Sequence, residues 1–185
     1  MDSHDLVYKI RRKLQSKVWN FFHGRFFYCF GKNVLLENPH IIRGQKFISI
    51  FDDVSISRSC WLMAIKQKNI SPVITINKKT QIGRYCHIVA IRDITIESSV
   101  LIADKVYISD NFHNYTDRNI PILEQGVGFR GKVLIKEGAW IGENVSIIGA
   151  SIGKNSVVCC GAVVLNDVPD NVMVAGVPAR IIKNL

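Results

Sequence analysis

Aliphatic residues return every six positions through most of this sequence. Ile76, Ile82, Ile88, Ile94, Val100 and Val106 keep the interval, and Ile135, Ile141 and Ile147 resume it. After a slip of one residue, Ile152, Val158 and Val164 carry it on. Six fits neither the 3.6-residue turn of a helix nor a heptad. The position two before each beat reads Thr80, Cys86, Arg92, Ser98, Asp104, Val133, Ala139, Val145, Ala150, Ser156 and Ala162. These are small or β-branched except at Arg92 and Asp104. Residues two apart share one face of a strand, so each hexad offers one large and one small inward side chain, then a turn. Three hexads make one coil of a triangular prism, and only stacked coils bury the aliphatic positions in a continuous core. A looser beat at Ile42, Ile48, Val54 and Cys60 predicts that the prism begins near residue 40. Residues 61–72 are expected to leave the regular coil.

The beat stops between Val106 and Ile135, in a stretch that carries His113 within the segment SDNFHNYTD. A long excursion inside a regular solenoid is usually functional.

The first 32 residues differ in kind. They hold Lys9, Arg11, Arg12, Lys13, Lys17, Arg25 and Lys32 against Asp2 and Asp5, with eight aromatics from Tyr8 to Phe30. Leu6, Ile10, Leu14 and Val18 recur at fourfold spacing and predict an amphipathic helix. Its preferred placement has the apolar stripe packed on the protein and the basic face in water. Peripheral contact with an anionic membrane surface is the second reading, and no nucleic-acid partner is expected. The division expected is a basic aromatic segment over 1–32 and a repeat domain over 33–183, with a loop at 107–134.

Composition narrows the class. The chain has 185 residues, 48% of them hydrophobic, and a net charge of +9, which is the profile of one globular domain. No apolar run approaches the roughly 20 residues of a membrane span, and the start does not read as a secretory signal. Five cysteines without a CxxC pair offer neither a disulfide framework nor a four-cysteine zinc site. The compartment expected is the reducing cytoplasm, with peripheral attachment at the inner membrane face as a further option.

The segment from Trp140 to Lys183, with WIG, the hexads and AGVPAR, resembles the C-terminal half of the maltose and galactoside O-acetyltransferases. These belong to the hexapeptide-repeat acyltransferases, and the resemblance spans about residues 74–183. It implies an all-β fold, a left-handed parallel β-helix, preceded here by the short helix and interrupted by the protruding loop. It implies a homotrimer with sites shared between chains, acetyl-CoA as donor, and a sugar or glycan hydroxyl as acceptor in surface polysaccharide or lipid-linked glycan assembly. His113 takes the place of the general base, with direct transfer and no acyl-enzyme. Asp110, Asn111 and Trp140 fall on the acceptor side, with Asp110 and Asp117 as candidates to orient the imidazole or simply to cap turns. Gly142, Cys160 and Leu165 match the positions along the pantetheine arm, and Arg180 and Lys183 those at the phosphates. Cys159 and Cys160, being adjacent, are expected to point one inward and one outward.

No metal is expected. The zinc chemistry that the same fold hosts elsewhere takes three histidines, and the repeat region has His87 and His113, with His87 placed on a turn. The alternatives left open are a non-catalytic trimeric scaffold, or an acetyltransferase with an amine, serine or antibiotic acceptor.

Overall fold

The computed structural model describes residues 3–185. The side chains of residues 3–6, 8 and 9, including Leu6 of the predicted stripe, lie outside the described residues. After helix α1 (Ser3–His23) the chain winds into a three-sided column whose faces are parallel sheets. The first face stacks Cys29–Phe30, Ile48–Ile50, Val73–Ile76, Asp93–Ile96 and Val133–Ile135. The second runs from Leu35–Leu36 to Val172–Ala175, and the third from Ile41–Arg43 to Val163–Val164. The column is a left-handed β-helix of hexapeptide repeats. Ile48, Ile50, Ile74, Ile76, Ile82, Ile88, Ile96 and Ile102 fill its axis and are fully or almost fully buried. Each such side chain contributes about 1.5–3 kcal/mol of apolar burial.

The column begins at Cys29, before residue 40, because Phe30, Val34 and Leu36 already occupy coil positions. Trp61–Ala64 stays in the ladder, paired with Ile41–Arg43 and His87–Ala90, so the excursion expected over 61–72 is confined to 65–72.

Two corners of the prism are invariant. The chain passes from first to second face through residues 31–34, 51–54, 77–80, 97–100, 136–139 and 153–156. It passes from second to third through 37–40, 57–60, 83–86, 103–106, 142–145 and 159–162. In most of these four-residue turns the third residue is left-handed, among them Asp53, Lys79, Ser99, Tyr85, Lys105, Asn144 and Asn155. Glycine meets the same demand at Gly138 and Gly161. Except at His40, which lies exposed against Trp61, the fourth residue points inward and is the small position of the hexad. The third corner varies freely, through 44–47, 65–72, 91–92, 110–132, 149–151 and 165–167.

That variable corner corrects the sequence reading of the beat. Ile96 pairs with Ile76 and Ile102 with Ile82, so the large inward positions of the fourth coil are Ile96, Ile102 and Ile108. Val100 and Val106 fill the small positions, matching Thr80 and Cys86. The passage through 91–92 shifts the frame by two residues, and β-branched side chains at both inward positions hide the shift. Arg92 and Asp104 are therefore not inward at all. Arg92 lies over the Phe129 ring at 4.5 Å, and Asp104 pairs with Arg84 at 2.8 Å on a turn.

Helix α1 is turned opposite to its preferred placement. Leu35–Leu36 is an edge strand, whose outer N–H and C=O groups need partners. The helix supplies them: Ser16 Oγ accepts from the Leu36 amide at 2.9 Å, and Asn20 Nδ2 donates to the Val34 carbonyl at 2.8 Å. Arg12 pairs with Glu37 and donates to Ser55, and Trp19 packs on the core. Arg12, Ser16 and Asn20 recur at fourfold spacing, so the polar stripe faces the column and the apolar stripe faces outward. At the far end, Arg180–Asn184 returns antiparallel along Val172–Ala175 and covers that edge.

Candidate active site

The largest excursion, 110–132, leaves from the variable corner and is built as an antiparallel hairpin of Asn111–His113 with Val127–Phe129. Asp110 anchors it. The residue is fully buried, and its carboxylate accepts from the main-chain amides of Ile91, Arg92 and Asp93 at 2.9, 2.7 and 2.9 Å. It also accepts from Asn111 Nδ2 at 2.9 Å. Asn111 Nδ2 donates in addition to the Val89 carbonyl at 3.1 Å. Asp110 and Asn111 are thus spent on fixing the base of the hairpin to the preceding coil. Asp117 likewise caps a turn, accepting from the Asn119 amide at 2.8 Å. None of the three hydrogen-bonds to the imidazole.

His113 ends the outgoing strand with an exposed side chain. Alternation along Asn111–His113 puts Phe112 on the other side of the hairpin. There Phe112, Tyr115, Arg130 and Ile148 line a recess of about 260 Å³.

Trp140 and the residues expected along the donor lie on other parts of the prism. Trp140 stands half-exposed on the second face, in the outward row with Leu101 and Val157. Gly142 opens one turn of the second corner, Cys160 is the second residue of the next, and the two touch. A β-carbon on Gly142 would lie 2.6 Å from the Cys160 nitrogen and 2.9 Å from its sulfur. Cys159 is partly exposed and Cys160 exposed, so neither enters the core. Both belong to the turn 159–162, whose inward residue is Ala162. Leu165 is partly buried at the variable corner. Arg180 lines a groove of about 340 Å³ with Asn166, Asp167 and Val174, and Lys183 lies exposed on the same final strand. One chain therefore brings Gly142 to Cys160, and the hairpin and Leu165 to a common edge, but it holds the His113 hairpin and the Gly142–Cys160 pair on different edges of the prism.

His87 opens a third-face strand rather than a turn. It sits between the Trp61 and Tyr107 rings, tilted to the first at 4.8 Å and edge-on to the second at 5.3 Å. Burial pushes its pKa below the ordinary imidazole value, and its buried Nε2 has no hydrogen-bond partner. Among the described residues, no group of three or more His, Cys, Asp or Glu is placed to hold a metal ion.

These features define the class: a hexapeptide-repeat β-helix with a hairpin bearing one exposed histidine. No family model matches the chain. Over 63 residues it is 38% identical to the galactoside O-acetyltransferase of Lactococcus lactis, covering 34% of this chain and 30% of that protein. Over 53 residues it is 51% identical to the 2,3,4,5-tetrahydropyridine-2,6-dicarboxylate N-acetyltransferase of Clostridium perfringens, covering 28% of this chain and 22% of that one. The matched part is thus under a third of the length of either relative. The solved structure of a point mutant of AntD, an N-acyltransferase from Bacillus cereus, in complex with dTDP and coenzyme A, superposes with a TM-score of 0.75. That match has 23% identity and covers 89% of this chain and 88% of that one. Over these segments the chain is similar to acetyltransferases, and along most of its length it shares the fold of solved hexapeptide-repeat acyltransferases.

Proposed function

We propose that this protein transfers an acetyl group from acetyl-CoA to a hydroxyl of a sugar, in the assembly of a surface polysaccharide or lipid-linked glycan in the cytoplasm. The observation that carries the reading is the exposed imidazole of His113 on a hairpin anchored to a β-helix whose fold is shared with an N-acyltransferase solved with coenzyme A. The imidazole takes the proton of the acceptor hydroxyl as its oxygen attacks the thioester carbonyl. The tetrahedral intermediate collapses, the carbon–sulfur bond breaks, and the leaving thiolate takes up a proton. The acyl group passes directly, with no covalent enzyme intermediate.

The pantetheine arm runs past Gly142, Cys160 and Leu165, where the absence of a side chain at Gly142 keeps the turn low. Arg180 and Lys183 meet the phosphates, whose negative charge suits cationic side chains. Trp140 borders the acyl end. Because the hairpin and the Gly142–Cys160 turn lie on different edges of one column, the working site is completed by a neighbouring copy, and the assembly is a homotrimer.

The similarity to N-acetyl and N-acyl transferases supports a second reading, with an amine acceptor. Thioester cleavage by the wild type and by His113→Ala, assayed with hydroxyl and amine sugars, tests both. Loss of about 10²–10⁴ in turnover is expected for the variant. Unchanged turnover overturns the base assignment, and a product stable to mild alkali selects the amide. A wild type inert with every acceptor favours a scaffold.

A further inference from the structure

We infer that the outward face of helix α1 is a docking surface for an anionic lipid bilayer. Val7, Ile10, Leu14, Val18, Phe21 and Phe22 form one exposed stripe, with Leu14 at 62% and Phe21 at 79% relative exposure. Phe26 and Tyr28 extend the exposed apolar surface beyond the helix. A contiguous exposed apolar surface of this kind marks an interaction site rather than scattered surface apolars.

The helix cannot turn this stripe inward. Its opposite side is committed to the column through Arg12, Ser16, Trp19 and Asn20. The charge around the stripe identifies the occupant. At 100° per residue, Arg11 and Lys17 fall on its two shoulders, with Lys13 just beyond Lys17. From Val7 to Leu36 the sequence contains no acidic residue. An apolar stripe between two cationic margins, on a helix lying along a protein surface, matches the boundary between acyl chains and acidic headgroups. It does not match a second copy laid helix to helix, because that pairing sets Arg11 and Lys17 against their own kind. No helix of the described residues is long and apolar enough to cross a membrane, so the contact is peripheral.

The geometry also suits a lipid-borne acceptor, since the helix would fix the column at the surface where such a substrate resides. The lipid contact itself does not rest on the acetyl-transfer reading, and its test reads binding rather than turnover.

The full chain is to be sedimented with phosphatidylcholine vesicles, with and without phosphatidylglycerol. The expected result is recovery with the anionic vesicles alone, falling as salt is raised. Arg11→Gln with Lys17→Gln should weaken recovery by about thirtyfold. Leu14→Glu with Phe21→Glu should abolish it, while circular dichroism stays that of the wild type because both side chains are solvent-exposed. Absence of wild-type binding to anionic vesicles at low salt overturns the inference. So does undiminished binding by the Glu variant, or a Glu variant whose assembly mass falls, which would give the stripe to a second copy.

Discussion

Asp110 accepts the amide hydrogen of Arg92 at 2.7 Å, tying the root of the hairpin to the shortest passage of the variable corner. The same carboxylate receives the amides on either side, so three consecutive main-chain donors converge on one buried side chain. Asp110→Ala strands those donors in a site closed to water. The expected cost is about 3 kcal/mol of stability, with a loosened hairpin and reduced transfer. Denaturant melts and steady-state assays check both; an unchanged midpoint would contradict the anchoring role.

His87 should make the fold acid-sensitive near neutrality. Burial depresses its folded pKa, so as pH falls through the ordinary imidazole value the unfolded chain takes up a proton that the folded one refuses. Stability therefore declines with acidification across that window, until pH passes below the folded value. Asp170, whose pKa is held down by Lys136, contributes its loss only further down, below the ordinary carboxylate value. His87→Phe keeps an aromatic ring between Trp61 and Tyr107 and removes the titration. The drop in Tm between about pH 7 and 5 should be smaller in that variant than in the wild type.

Gly142→Ala places a methyl group against the Cys160 nitrogen and the Val158 carbonyl, which are backbone and cannot swing away. A loss of about 1–3 kcal/mol is expected, together with weaker coenzyme A binding. Thermal melts with and without coenzyme A separate the two effects, since a ligand that binds the folded state raises Tm by mass action.

The thiols should divide by exposure. Cys160 is open to solvent, while Cys60 and Cys86 are buried and donate to the Gly83 and Ala103 carbonyls. A maleimide should label Cys160 in the native protein and reach Cys60 and Cys86 only on unfolding. Coenzyme A should slow the labelling of Cys160 if the pantetheine arm passes that turn. Labelling at the same rate with saturating coenzyme A would remove Cys160 from the donor path.

The fold was legible because a hexad writes its geometry twice, once in the aliphatic beat and once in the small residue before it. What was misread follows from the same economy. Valine suits both inward positions, so the two-residue shift at 91–92 left Val100 and Val106 looking like large positions. The orientation of α1 was hidden for a different reason. Amphipathicity shows which side chains share a stripe, but it does not show that an edge strand at Leu35–Leu36 needs Ser16 and Asn20 more than the core needs Leu14. Asp110 stands out in the sequence only by its place in the segment that carries His113. Its task was not readable, because the three amides it collects lie 17 to 19 residues earlier in the chain.

The prism has one edge at which chain length is free. Segments as different as 91–92 and 110–132 leave from it and rejoin ladders that stay in step. New sequence can accumulate there without disturbing the wound body, much as a bookbinding takes extra leaves along its open side while the spine stays sewn. Replacing residues 66–72 with a foreign peptide should therefore yield a chain that still folds, with every ladder on either side of the seam in its present register.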